Sequence, residues 1–376
     1  MTMAKNGSDD WQTAKLGDVI ELFDTQRVPL NSGERQQRQG IYPYYGAQGI
    51  IDHIDGYIFD GRYILVAEDG ENLNSKKLPL ALFADGKFWV NNHAHILRGK
   101  PGVADDTFLL ACLNNADIKP YVTGAAQPKL SQGNLRQIEI PLPPLPAQRR
   151  IAGILSAYDE LIENSQRRIR LLEDMARALY REWFVHFRFP GHESVPRVPS
   201  ALGDIPQGWE VKKLGDIVEL NYGKALKKED RREGEFPVFG SSGQVGSHDT
   251  SLVKGPGIIV GRKGNVGSVF WCDGDFFVID TAYFVTSALP LRFLFYVLPT
   301  LNFINSDAAV PGLSRNQAYT LEVAVPPAAL LTKFCELAET LEKQASTLQR
   351  QIQILRRTRD LLLPRLLSGE MNIEIN

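Results

Sequence analysis

A chain of 376 residues is longer than one ordinary core organises and suits two domains with connecting elements. Its 43% hydrophobic and 23% charged residues are those of a soluble globular protein, and a net charge of −2 excludes a uniformly basic chain that coats nucleic acid, leaving only local binding surfaces. The three cysteines (Cys112, Cys272, Cys335) are far apart and form no CxxC, which argues against a disulfide framework or a thiolate zinc site.

The leader MTMAKNGSDDW has no apolar run and does not read as a signal peptide. A first globular region is expected over 11–146. Its signals are short apolar runs of strand length, such as Tyr63-Ile64-Leu65-Val66 and Lys87-Phe88-Trp89-Val90, set between Gly, Asn and Asp. A helical piece is expected from Thr107 to Leu113. The run Pro141-Leu142-Pro143-Pro144-Leu145-Pro146 reads as an extended, stiff spacer, with a docking role for its PxxP as the less favoured reading.

A long helix then spans 147–188. Steps of four and three from Ile151 pick out Ile151, Leu155, Tyr158, Ile162, Ser165, Ile169, Leu172, Ala176, Leu179 and Trp183, of which nine in ten are apolar or aromatic. That is a heptad seam on a helix about 60 Å long, and it needs a second helix to cover it. Beyond Phe187, Pro190, Gly191, Pro196, Pro199 and Pro206 end the helix and return the chain to a second globular region over 200–327. It carries the strand-like runs Gly257-Ile258-Ile259-Val260 and Ser268-Val269-Phe270-Trp271 and a helical piece from Leu291 to Leu298. The window 291–304 is broken by Arg292 and Pro299 and is too short to span a bilayer, so no membrane role and a cytoplasmic location are expected. A second long helix follows over 328–368, with Phe334, Ala338, Leu341, Ala345, Leu348, Ile352, Leu355, Arg359, Leu362 and Leu366 on the same spacing. Arg359 on this seam marks a register break or a contact to another chain. Pro364 should kink or end the helix, and Gly369 is a natural cap.

The two halves repeat. Trp11 with Lys15-Leu16-Gly17-Asp18 returns as Trp209 with Lys213-Leu214-Gly215-Asp216, and Tyr42-Pro43-Tyr44-Tyr45-Gly46 returns as Phe236-Pro237-Val238-Phe239-Gly240. Ala125-Ala126-Gln127-Pro128-Lys129-Leu130-Ser131 returns as Ala308-Ala309-Val310-Pro311-Gly312-Leu313-Ser314, in the same register of 183 residues that relates the helices. The fold expected is α+β: two repeated mixed domains, each dominated by a curved sheet, joined by two long helices.

No catalytic constellation emerges. Gly255-Pro256-Gly257 precedes a strand instead of following one and reads as a turn, and no GxxxxGK[ST] occurs. The Pro-Pro pairs follow Leu142 and Val325, whereas an amino-methyltransferase needs Asn or Asp there. His93 and His95 alternate along an expected strand and could face one way, but packing or hydrogen bonding is the better reading than a metal site. Asp60, Glu68, Asp69 and Glu71 lack a nuclease spacing and read as a solvated loop. Binding signals sit instead in repeat-matched loops, where glycines allow close backbone approach and polar side chains supply phosphate and base-edge contacts. The candidate DNA contacts are Gln48, Gln127, Lys129, Ser131 and Gln132 in the first domain. In the second they are Ser241, Ser242, Gln244, Arg262, Lys263, Asn265, Ser314, Arg315 and Asn316.

This layout resembles the DNA specificity subunit of type I restriction–modification enzymes. Trp-x-x-x-Lys-Leu-Gly-Asp opens both domains, Arg149-Arg150-Ile151-Ala152-Gly153-Ile154-Leu155 begins the first helix, and Leu361-Leu362-Leu363-Pro364-Arg365-Leu366-Leu367-Ser368-Gly369-Glu370 closes the second. The second half departs from it with Ala328-Ala329-Leu330-Leu331 where Leu145-Pro146-Ala147-Gln148 stands in the first. The resemblance implies two target-recognition domains reading the halves of a split, asymmetric site on double-stranded DNA. It also implies antiparallel helices that set the gap, giving a pseudo-two-fold molecule. Methyltransferase subunits carrying S-adenosylmethionine would dock on it and restriction–translocase subunits would join, the chain itself holding no cofactor and catalysing nothing. The reading from another class is a scaffold that displays two ligand-binding domains without DNA.

Overall fold

The structure, a computed structural model, describes residues 11–124, 127–303 and 312–371. The leader 1–10 and the repeat-matched residues Ala125, Ala126 and Ala308 to Pro311 lie outside the described residues. The chain divides into two compact units, residues 1–165 with 351–376, and residues 166–350.

In the first unit a four-stranded antiparallel sheet has the order Ile20–Leu22, Ala94–Gly99, Tyr63–Ala67, Ala81–Ala84. A second sheet runs Gly49–Ile54, Gln39–Gly46, Lys87–Val90, Phe59–Asp60, with Gln39–Gly46 and Lys87–Val90 parallel. The central strand Tyr63–Ala67 is buried on both faces because its side chains alternate. Ile64 and Val66 face a core with Phe108 and Leu109 of helix Asp106–Asn115, while Leu65 joins Phe88 and Tyr45 on the other side.

The second unit repeats the plan. Its sheet has the order Glu219–Tyr222, Ala282–Thr286, Gly257–Gly261, Val269–Cys272, all antiparallel. Phe236–Gly240 pairs with Gly243–His248 and, in parallel, with Phe277–Val278. Ile258 and Val260 pack toward Phe293 and Leu294 of helix Leu291–Val297, and Ile259 toward Phe239 and Phe276. The proline-rich return between the halves forms a short hairpin, Arg197–Ser200 with Gly203–Pro206, which the sequence reading did not anticipate.

The Lys-Leu-Gly-Asp pair has a physical cause. Leu16 and Leu214 are fully buried, and their N–H groups donate to the carbonyls of Ile138 and Leu321. A Cβ on Gly17 would stand 2.8 Å from Cβ of Arg136, and one on Gly215 would stand 2.8 Å from Cβ of Tyr319. Each domain start is thus pressed against the short helical turn that precedes its closing strand, Glu139–Leu142 or Glu322–Val325, and only glycine fits.

The long helices span Leu145–Tyr180 and Ala328–Leu367. The first continues into a π-turn over Arg181–Val185. In the first unit Ile151, Ala152 and Leu155 share a core with Leu366 and Leu367. In the second, Ala176, Tyr180, Trp183 and Phe184 share one with Leu331, Phe334 and Ala338. The start of each helix therefore meets the end of the other, an antiparallel pairing.

Three local expectations are corrected. The proline spacer stops at Pro144, since Leu145 and Pro146 already belong to the helix; Pro146 sits in its first turn, where the missing N–H has no partner to lose. Pro364 does not end the second helix, which runs on to Leu367. A proline in the last turn forfeits one hydrogen bond, and burial of Leu366 and Leu367 holds the turn in place before Gly369 at φ +75°. Arg359 marks no register break: the helix runs on through it, and it pairs with Asp159 on the facing helix. Gln148 is 1% exposed, donating to the carbonyls of Pro143 and Val103 and accepting from Asp105 N. Its repeat counterpart Leu331 fills an apolar core instead, which accounts for the divergent helix starts. Among the described residues no helix is long and apolar enough to cross a membrane.

Candidate nucleic-acid interface

In the second domain one end of the central sheet gathers four segments. They are the hairpin turn Gly240 to Gly243, the loop 262–268 after strand Gly257–Gly261, residues 279–281 before strand Ala282–Thr286, and the helical turn Arg315–Ala318. Backbone bonds fix their spacing: Ile279 N to Phe239 O at 2.9 Å, Arg262 N to Thr281 O at 2.9 Å, and Leu313 N to Arg262 O at 2.7 Å. Ser268 Oγ donates to Ser241 O at 2.6 Å. On this frame stands Tyr222, 49% exposed, with the Arg262 and Arg315 guanidiniums 4.9 and 5.1 Å from its ring centroid. Tyr283 packs edge-on against it at 5.0 Å. Burial, reinforced by the neighbouring Tyr222 hydroxyl, pushes the Tyr283 phenol up to about 12, so it stays neutral and donates to Leu313 O.

The first domain builds the same frame. Asn91 N donates to Tyr45 O at 3.0 Å, Glu68 N to His93 O at 2.9 Å, and Leu130 N to Glu68 O at 2.8 Å. Sheet register fixes the equivalences. His95 lies opposite Val66 as Tyr283 lies opposite Val260, and Leu22 pairs with Leu97 as Leu220 pairs with Val285. Asp24 therefore occupies the place of Tyr222, Glu68 that of Arg262, His95 that of Tyr283 and Gln132 that of Arg315. The chemistry differs at all four. His95, 1% exposed, has Nδ1 at 2.6 Å from Asp24 and Nε2 at 2.8 Å from Leu130 O, the carbonyl equivalent to that of Leu313. Burial works to raise the Asp24 carboxyl, but the His95 bond and charge, the Ile96 N–H and Arg27 outweigh it and hold its pKa below the ordinary value. Glu68 is bound by Arg27 at 2.7 Å and Lys129 at 3.3 Å.

The expected contact residues are largely brought together. Gln48, Gln127, Lys129 and Gln132 are exposed around the first frame, and Ser242, Gln244, Asn265 and Asn316 around the second. Lys263 is half-buried, 3.9 Å from the Asp280 carboxylate, and Arg262 donates to Asp280 O at 3.0 Å. The remaining serines have local work. Ser131 and Ser314 cap the helical turns that follow them, accepting from Asn134 N and Gln317 N, and the Ser241 main chain anchors its turn, its N–H donating to Thr281 Oγ1 and its carbonyl accepting from Ser268 Oγ.

Two expectations about this region fail. His93 and His95 do not share a face: His93 lies in the turn before the strand, bonded to Asp69 at 2.6 Å, while His95 points inward. Nor are Glu68 and Asp69 a solvated loop, although Asp60 and Glu71 are exposed. Sequence reasoning missed Asp24, Arg27, Tyr222 and Tyr283; laying Leu22 on Leu220 within the repeat would have aligned Asp24 with Tyr222.

Comparison with known proteins agrees with this architecture. The chain matches the type I restriction modification DNA specificity domain twice, over residues 8–174 and 206–329. A Haemophilus influenzae protein named for a type I restriction enzyme specificity subunit is 30% identical over 226 residues, which take in 60% of this chain and 54% of that protein. The MjaIX specificity subunit of Methanocaldococcus jannaschii is 28% identical over 424 aligned residues, covering 97% of this chain and 94% of the relative. The crystal structure of a type I restriction-modification S subunit from M. genitalium superposes with a TM-score of 0.65 at 20% identity, over 98% of both chains, and shares the fold. With two matched copies of the domain on two copies of one frame, the chain belongs to the family of type I restriction–modification DNA specificity subunits.

Proposed function

We propose that this chain is the non-catalytic, sequence-reading subunit of a type I restriction–modification complex. Each domain reads one half of a bipartite, asymmetric duplex site through the loops gathered at its sheet end. Two copies of one domain suit the approximate dyad of a DNA duplex, and the antiparallel helices set the gap between half-sites. The observation that carries this reading is the pair of matched frames with different side chains at four equivalent positions, Asp24 and Tyr222, Glu68 and Arg262, His95 and Tyr283, Gln132 and Arg315. A shared backbone with divergent polar side chains suits two readers of two different sequences.

Methyltransferase subunits, which bring S-adenosylmethionine, dock on the helices, and restriction–translocase subunits join them. Exposed apolar side chains support docking. Leu171 and Ile354, related by the repeat, are 56% and 65% exposed, as are Met175 at 55% and Leu361 at 62% on the same helices. The modest net charge fits a reader whose partners share the phosphate contacts. Expressing the chain with its methyltransferase partner and mapping methylated bases by single-molecule sequencing tests the proposal. A split motif with a constant unread gap is expected; methylation without sequence preference would refute it.

A further inference from the structure

We infer that the second domain reads a guanine through Arg262 and Arg315 held on the face of Tyr222. The inference rests on the DNA-reading function proposed above and names the base that one half-site must contain. The two guanidiniums converge on a single half-exposed ring, at 4.9 and 5.1 Å. Each donates to a backbone carbonyl at its base, Arg262 to Asp280 O at 3.0 Å and Arg315 to Leu220 O at 3.4 Å. Among the described residues neither forms an ion pair with a carboxylate, so neither fork is neutralised by a neighbouring acid. A planar fork of donors, oriented by an aromatic platform, matches the paired acceptors N7 and O6 that only guanine presents in the major groove.

A phosphate would also accept from these forks, but the matched frame in the first domain argues against it. The phosphate backbone is the same under both domains, whereas the four equivalent positions there hold Asp24, Glu68, His95 and Gln132. In that domain the carboxylates are consumed internally, Glu68 by Arg27 and Lys129 and Asp24 by His95. The Arg pair is therefore a property of one half-site and not of DNA in general.

The test uses the chain assembled with its methyltransferase partner and duplexes carrying the mapped site. Each guanine in turn is replaced by 7-deazaguanine, which removes the N7 acceptor and keeps the Watson–Crick pair. One replacement is expected to weaken binding about tenfold or more, the size of a bidentate base contact. In Arg315→Lys, which keeps the charge and loses the fork, the same replacement should cause no further loss; Arg262→Lys provides the same cycle if the first variant fails to assemble. If no guanine responds, or if the lysine variants weaken cognate and unrelated duplexes equally, the guanine reading is overturned while sequence-specific binding stands. If the wild-type assembly shows no sequence preference, both readings fall.

Discussion

Phe334 is fully buried at the start of the second helix, with four aromatic rings around it: Phe184 at 4.8 Å, Tyr296 at 5.6 Å, Trp183 at 6.2 Å and Tyr180 at 6.3 Å between centroids. Truncating it to alanine removes the ring's transfer free energy and leaves a cavity that rigid aromatic neighbours cannot close, so Phe334→Ala should cost about 3–5 kcal/mol. Phe334→Leu keeps most of the volume and should cost about 1.5 kcal/mol. Hydrogen exchange read by mass spectrometry localises the loss. Protection of peptides covering Gly257–Gly261 and Leu291–Val297 should fall by roughly two to four orders of magnitude in the alanine variant, since about 1.4 kcal/mol is a factor of ten. Peptides covering Tyr63–Ala67, in the other unit, should be unchanged. Equal losses in both units would refute the assignment of Phe334 to one core, and equal costs for Leu and Ala would refute the packing argument.

The Asp24 carboxyl titrates below its ordinary value in the folded chain, so its stabilisation is present above about pH 4 and is lost as pH falls through the lowered pKa. Asp24→Asn should flatten the acid limb of the first unit's stability curve and, by removing the buried carboxylate that faces His95 Nδ1, cost about 3 kcal/mol at pH 7; urea midpoints across pH 3–7 check both. The Arg359–Asp159 pair is 31% and 58% exposed at the side chains, so Asp159→Asn should change stability by less than about 1 kcal/mol in thermal melts, and a loss above about 2 kcal/mol would show the pair is more than a surface contact. One heptad inserted after Ser165, matched by one after Arg350, lengthens each helix by about 10.5 Å, close to three base pairs. Methylation mapping should then find both half-sites unchanged and a longer gap; a constant gap would contradict the spacer role.

What could be read from the chain was whatever repeats locally. The heptad series placed both long helices, because seam positions such as Ile151, Leu155 and Ala338 recur every three or four residues and need no knowledge of their partners. The strands Tyr63–Ala67 and Gly257–Gly261 were visible as apolar runs. The site was legible only as loops. Asp24 meets His95 across 71 positions and Tyr222 meets Tyr283 across 61, distances over which composition carries no signal until strands are paired. Gln148 was opaque for a similar reason: a polar residue early on a helix reads as exposed, yet its three partners come from the loop before helix Asp106–Asn115 and the proline spacer, and they bury it. Pro364 misled because a breaker rule takes no account of the large buried side chains that follow it.

The first unit is assembled from two stretches of chain that are distant in sequence. Leu362, Leu366 and Leu367 pack with Ile151 and Leu155, so side chains translated late complete a core whose other walls were made some 200 residues earlier. At roughly 5–20 residues per second, that wait on the ribosome is on the order of 10–40 s. During it the second unit, continuous in sequence, can close first. A nonsense codon between Arg350 and Leu366 would therefore injure the domain that was synthesised first and spare the later one.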